Sequence, residues 1–164
     1  MHALRDATPQ DADAIARLYA HYVLNDICTF EEAPPDRHEI AARMQKIRKA
    51  GLPFLVATAP NGVVIGYAYA GAFHARAAYR FTVKNSVYVA QDHHRQGIGA
   101  ALMQRLIADC AALGYRQMVA LISAEGSIAL HQRLGFRPAG VLKAVGFKFG
   151  RWIDVTTMQL ELPQ

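Results

Sequence analysis

Apolar and polar positions alternate with two different periods along this chain, and the switch between them outlines the elements. Ala3 to Ala7 is short enough and mixed enough for one strand. Thr8-Pro9-Gln10-Asp11 then has the form of a helix start, with Thr8 as N-cap, Pro9 in the first turn and Asp11 at the third position. Ile15, Leu18, Tyr19 and Tyr22 follow at helical spacing. Ile27-Cys28-Thr29-Phe30 is β-prone and runs out at Pro34-Pro35. Asp36 is placed to cap a second helix, whose apolar stripe is Ile40, Met44 and Ile47 and whose stop is Gly51.

From Phe54 the period becomes that of strands. Phe54 to Ala57 is one, Pro60-Asn61-Gly62 is a hairpin turn, and Val63 to Ala70 returns. Thr82 to Ala90 is a further strand. Gly97 to Leu113 reads as a helix, with Ile98, Leu102, Leu106 and Ile107 on one face and Gly114 as its stop. Met118 to Ile122 is a strand, Ser127 to Leu134 a short helix ended by Gly135, and Arg137 to Lys148 and Ile153 to Leu162 are two last strands. The order is βααβββαβαββ. No linker or repeat divides residues 1–164, so we expect a single domain. A mixed α/β (α+β) sheet with helices on both faces accommodates this order.

Composition narrows the picture. The chain has 164 residues, 52% of them hydrophobic and 19% charged, which supplies a core and argues against disorder. The formal net charge is +5, which suits an anionic ligand. The basic residues are scattered rather than clustered, so no nucleic-acid partner is expected. Cys28 and Cys110 lack metal-ligand spacing, so no metal is expected and both read as free thiols. Met1 to Asp6 has no apolar signal region and no 18-residue apolar run occurs, so a soluble cytoplasmic protein without a membrane partner is the default expectation.

The chemistry concentrates in Ser86-Val87-Tyr88-Val89-Ala90-Gln91-Asp92-His93-His94-Arg95-Gln96-Gly97-Ile98-Gly99-Ala100-Ala101-Leu102. A strand enters a basic, glycine-bearing loop that opens a helix. First-turn amides and the positive end of the helix dipole then face outward, with Arg95 and His94 as added donors. This is the construction of a phosphate cradle. It lacks the Gly-Lys-Ser/Thr of a nucleotide-triphosphate loop and the third glycine of a dinucleotide fingerprint. Taken alone, the pattern leaves open a tight turn beside a solvated arginine.

Arg95-Gln96-Gly97-Ile98-Gly99 with Leu102, and Gly135-Phe136 after a short helix, resemble the GNAT acetyltransferase family. That family's R/Q-x-x-G-x-G/A signature begins here on His94, a departure, with Arg95 beside it. Its phosphinothricin acetyltransferase branch is nearer still. Thr29-Phe30-Glu31, Tyr67 to Gly71, Ala75-Arg76, Ala78-Tyr79, Ser86 to Val89, His131, Leu134-Gly135-Phe136 and Gly146-Phe147-Lys148 with Trp152 and Asp154 all resemble it, in order, over essentially the whole chain.

The resemblance implies a GNAT-like fold with a splayed central sheet, acetyl-CoA as co-substrate and a homodimer. It implies that Val87, Tyr88 and Val89 line the thioester, and that His94, Arg95, Gln96, Gly97, Ile98, Gly99 and Ala100 hold the coenzyme. Phe30, His74, Arg76, Tyr79, Asn85 and Ser86 would border the acceptor, with Arg76 reading a carboxylate. His131 would serve as a catalytic group or a coenzyme contact. An asparagine common near residues 123–126 in the branch is missing here. Lys84 stands where the branch carries a glutamate thought to take the amine's proton, and a lysine ammonium has no lone pair for that task. The function implied is N-acetylation of a small amino acid-like amine by direct transfer, since neither cysteine has an activating partner nearby. Two alternatives stay open: an enzyme acting on a protein N-terminus or lysine, and a weakly catalytic CoA-binding regulatory module.

Overall fold

A computed structural model describes residues 1–164. The strands are β1 (Ala3–Asp6), β2 (Phe54–Thr58), β3 (Val64–Ala72), β4 (Thr82–Val89), β5 (Gln117–Ile122), β6 (Arg137–Lys148) and β7 (Arg151–Glu161). The helices are α1 (Ala12–Asn25), α2 (Arg37–Lys49), α3 (Ile98–Ala112) and α4 (Glu125–Arg133), so the element order is the one read from the pattern. No helix is long and apolar enough to cross a membrane.

All seven strands form one sheet in the order β1-β2-β3-β4-β5-β7-β6. Every neighbouring pair is antiparallel except β4 and β5. Strand alternation sends apolar side chains to both faces, and each face has its own core. Leu55 and Val83 pack with Leu102, Met103 and Leu106 of α3, whereas Val56 and Tyr67 pack with Ile15 and Tyr19 of α1 and Ile40 and Met44 of α2. Cys110 is fully buried in the α3 core.

The parallel pair is the irregular one. β4 and β5 are in register only at Thr82↔Gln117, Val83↔Met118 and Lys84↔Val119. Beyond that point β4 stays with β3 as far as Val89, and β5 stays with β7 as far as Ile122. Each strand keeps its outer neighbour, and the sheet splits between them.

Helix starts follow from local chemistry. The Asp36 carboxylate accepts from the Glu39 amide at 2.9 Å, as its position predicts. Thr8 precedes a short 3-10 turn over Pro9–Asp11, and Asp11 accepts from the Thr8 amide at 2.7 Å. Asp11 also takes a two-pronged pair from Arg5, at 2.7 and 2.8 Å. The β-prone stretch Ile27–Phe30 is not a strand. Side chains from distant elements hold it instead: Tyr19 meets the Thr29 hydroxyl at 2.6 Å, and Ser123 donates to the Ile27 carbonyl at 2.5 Å. The β6–β7 hairpin turns on Phe149 and Gly150, with φ of 53° and 72°. Two adjacent positive values fit the mirror-image turn that matches strand twist.

Arg5 holds the Asp11 carboxyl below the usual carboxylate range. Its stabilisation is therefore complete above the unfolded value and is lost as pH falls through the lowered folded value. Asp11→Ala is expected to cost about 2 kcal/mol at pH 7, from a lost cap and a charge-assisted pair. Thermal unfolding of both proteins at pH 7 and near pH 3 checks this. A penalty that does not shrink in acid would contradict it.

Candidate functional site

The split in the sheet exposes main-chain groups in a predictable direction. The Ala90 amide donates to Ile65 at the β3 side, and the Thr82 carbonyl accepts from Phe73 on that same side. The Phe81 carbonyl instead accepts from Arg116 on the β5 side. Backbone groups alternate along a strand, so those of Val87 and Val89 point toward β5. There β5 has already departed. A cleft opens, lined by Asn85, Ser86, Val87 and Tyr88 on one wall and by Ala120, Leu121, Ile122, Ser123 and Ala124 on the other. Cys28, Ser127 and His131 complete it.

α3 begins where the cleft ends. Arg95 and Gly97 adopt left-handed φ values of 61° and 78°, which folds the chain back into the helix. The first intrahelical bond is from Ala101 to Gly97, at 3.0 Å. The amides of Ile98, Gly99 and Ala100 therefore precede the helix's own acceptors and are available to an anion. Arg95, Gln96 and Gly97 are exposed around them, while Ile98 anchors the first turn in the core.

A second cavity lies on the other face of β4, between the sheet and α1 and α2. Tyr19, Arg43, Lys46, Tyr69, Lys84 and Ser86 are among its lining residues. Ser86 borders both this cavity and the cleft. Arg43 is bound to Glu31 at 2.6 Å and to Glu39 at 2.9 Å, whereas Lys46 and Lys84 carry no ion pair.

The model of the acetyltransferase (GNAT) domain matches residues 4–157. The chain belongs to the GNAT acetyltransferase family. A phosphinothricin N-acetyltransferase of Alcaligenes faecalis is 48% identical over 162 residues, covering 97% of this chain and 82% of that relative. An L-amino acid N-acyltransferase of Escherichia coli is 40% identical over 164 residues, covering 99% and 95%. A GNAT superfamily phosphinothricin acetyltransferase from Sinorhizobium meliloti, crystallised with AcCoA, superposes with a TM-score of 0.96 at 47% identity, covering 98% of this chain and 88% of that one.

Within this GNAT frame the expected site residues divide by face. Lys84, Ser86 and Tyr88 point toward α1 and α2, where Tyr88 packs on Tyr19, Tyr22 and Tyr67. Asn85, expected at the acceptor, points the other way. It is 8% exposed, and its Nδ2 lies 2.9 Å from His131 Nε2. Strand alternation is the reason: it is the immediate neighbour of Ser86 and so faces the opposite side of the sheet. His94, expected to reach a phosphate, folds back, its Nε2 lying 2.7 Å from the Tyr22 hydroxyl and 3.0 Å from the Val89 carbonyl. Tyr22 also donates to that carbonyl. His74, Arg76 and Tyr79 sit together on the exposed β3–β4 loop, with His74 and Tyr79 ring centres 5.0 Å apart. Phe30 is 41% exposed beside Gly146.

His131 is held more tightly than its sequence position suggested. Nδ1 lies 2.7 Å from the Ser127 carbonyl, which requires a proton on Nδ1. Nε2 is then the acceptor for Asn85. Both ring nitrogens are occupied, so His131 cannot hand a proton to a leaving group without releasing a partner. The Asn85 Oδ1 is left buried without a partner. Tyr19, Tyr22, Cys28 and Ser123 belong to the site or its support and were not singled out for those roles by the sequence; the helical stripe hid the two tyrosines among core residues.

Burial pushes the His131 pKa below the ordinary histidine value, partly countered by its bond to Ser127. Folding thus favours the neutral ring, and this disfavours the native state as pH falls through the imidazole range. Nitrogen NMR is expected to show the proton on Nδ1 at pH 7 and a midpoint below that of free imidazole. A proton on Nε2, or a midpoint above that value, would refute the arrangement.

Proposed function

We propose that this chain transfers the acetyl group of acetyl-CoA directly to the amine of a small amino acid-like acceptor of the phosphinothricin or methionine sulfoximine class. One observation carries the reading: Ser86 borders both the β4–β5 cleft and the cavity beneath α1 and α2. A thioester in the first and an amine in the second would meet there. The cleft also fits the coenzyme on its own terms. It has backbone amides without a strand partner, an orphaned buried Asn85 Oδ1, and free first-turn amides at α3. Acetyl-CoA would supply an activated acyl group. The Ile98, Gly99 and Ala100 amides, with Arg95, would hold its phosphates. Val87 and Val89 would pair with its pantetheine and donate to the acyl oxygen, and such donors are worth about 3 kcal/mol in a dry site.

The acceptor cavity lies between two helices and the sheet, which favours a small molecule over a polypeptide chain. Arg76, exposed on the adjacent loop, would take the acceptor carboxylate. The outer face of β6 and β7 exposes Val145, Phe147 and Trp152, the last 69% exposed. An apolar face of this kind suits a second copy of the chain, giving the homodimer.

A turnover assay with acetyl-CoA and a panel of amines tests the reading; no turnover on any amino acid-like acceptor would leave only coenzyme binding. Gly97→Val is expected to weaken acetyl-CoA affinity at least tenfold, about 1.4 kcal/mol. A β-branched residue resists the left-handed conformation there and adds bulk at the cradle. Calorimetry on a folded variant with unchanged affinity would remove the cradle from the account.

Lys84 sits half-buried in the acceptor cavity, beside Gly71 on β3. As an ammonium it takes no proton and repels an ammonium substrate. The wild-type rate at neutral pH is therefore expected to be low and to climb with pH. Lys84→Glu is expected to raise kcat/KM at pH 7 by about tenfold to a thousandfold on phosphinothricin and methionine sulfoximine. Equal rates at pH 7 would defeat this. The unpaired Lys46 in the same cavity favours a second reading, in which both lysines bind an acidic acceptor and the swap lowers activity on it.

A further inference from the structure

Lys148 closes β6 with its side chain 2% exposed, a rare burial for a lysine. Its Nζ donates to the Asp26 carbonyl at 2.7 Å and to the Thr29 carbonyl at 2.8 Å. The Phe149 ring centre lies 5.0 Å away. The two carbonyls are 122 and 119 residues distant in sequence. They belong to one segment, residues 26–31, which has no strand partner.

Other elements tie the same segment down. Tyr19 of α1 holds Thr29, Ser123 at the end of β5 holds Ile27, and Arg43 of α2 holds Glu31. Phe30 lies over Gly146, two residues before Lys148, where an added Cβ would come within 2.4 Å of the ring. The segment places Cys28 on the wall of the β4–β5 cleft, with Ser86, Val87 and Tyr88. Replacing the ammonium would strand the buried Thr29 carbonyl and the half-buried Asp26 carbonyl at once, so the contact is specific for a donor and not only for volume.

We infer that Lys148 is a positioning residue, which fixes segment 26–31 as a wall of the cleft and so sets the approach of amine and thioester. The inference rests on the proposed function for its catalytic consequence, but not for the latch itself. Lys148→Met retains length and apolar bulk and removes the donors. It is expected to lower kcat at least tenfold and to leave acetyl-CoA affinity within threefold, because the α3 cradle is on other elements.

Cys28 provides a readout independent of turnover. Burial, first, and Asp26 push its thiol up to about 12, so iodoacetamide should label it slowly. The Lys148 charge opposes that shift. Losing the charge alone would therefore slow labelling, whereas releasing the segment speeds it. At least tenfold faster labelling of Cys28 is expected in Lys148→Met, with the fully buried Cys110 still silent. Labelling of both cysteines would mean general unfolding, and Gly146→Ala then decides. It displaces the end of the Phe30 ring while keeping Lys148, and should also speed Cys28 labelling alone. Unchanged Cys28 labelling in both variants overturns the latch. Faster labelling with unchanged kcat overturns its positioning role. A wild-type protein without turnover would defeat the proposed function, and the labelling would still decide the latch.

Discussion

The split between β4 and β5 is the constraint on which the rest depends. A parallel pair that separates after three registered residues leaves main-chain groups of both strands without a strand partner on their facing edges. Burying such groups unpaired costs about 1–3 kcal/mol each. The fold bears this because each strand is fully paired on its outer side, β4 with β3 and β5 with β7. What remains is a slot of directed donors and acceptors that a ligand with peptide-like groups satisfies. α3 starts after the loop of residues 90–97, in which Arg95 and Gly97 reverse the chain, so its free amides lie beyond the end of β4.

β4 and the end of β5 form two walls of the slot, and other elements close its remaining sides. One wall is α4, fixed by the Ser127–His131–Asn85 chain of hydrogen bonds. The other is segment 26–31, fixed by side chains from α1, α2, the end of β5 and the end of β6. Polar networks of this kind, satisfied here except for Asn85 Oδ1, hold one geometry, since slipping any member strands a further group. The β6–β7 hairpin thereby serves two surfaces. Gly146 and Lys148 turn inward to the segment, and Phe147 turns outward to the exposed apolar face. An event at that outer face is one residue away from the cleft wall.

The order of elements was legible because each has a local cause: the 3.6-residue stripes of α1 and α2, the caps at Thr8 and Asp36, and the alternation of β2 to β4. The reversal at residues 95–100 was legible as a strand, a glycine-bearing loop and a helix. The face of Asn85 was not. Its parity becomes clear only from which neighbour Thr82 and Ala90 bond to, a tertiary fact. Ile27–Phe30 has strand propensity, but propensity yields where the carbonyls of Asp26, Ile27 and Thr29 are claimed by the side chains of Lys148 and Ser123. The surroundings of His94 were hidden for a related reason: a basic residue beside a glycine loop reads as a phosphate donor, and only the fold shows Tyr22 next to it. Lys148 entered only as part of the Gly146-Phe147-Lys148 resemblance, and its burial gave no signal, since charge in a strand ordinarily means solvent.

Under the proposed function, the cavity beneath α1 and α2 would pose a different electrostatic problem from the β4–β5 cleft. Glu31 and Glu39 neutralise Arg43, while Lys46 and Lys84 are uncompensated at the cavity wall. A carboxylate at the position of Lys84 would attract an ammonium and then receive its proton. A cation there does the opposite at both steps. It disfavours the charged acceptor in the cavity, and by the same field it lowers the pKa of whatever amine does bind. The bound amine is then more often neutral, and so nucleophilic, without any residue acting as base. Such a site selects the neutral fraction from solution instead of generating it. Its kcat/KM would follow the titration of the free amine, and affinity, not the chemical step, would bear the cost. Anionic groups elsewhere on the acceptor would recover part of that affinity from the same two lysines, which ties the missing base and the choice of acceptor to one feature of the cavity.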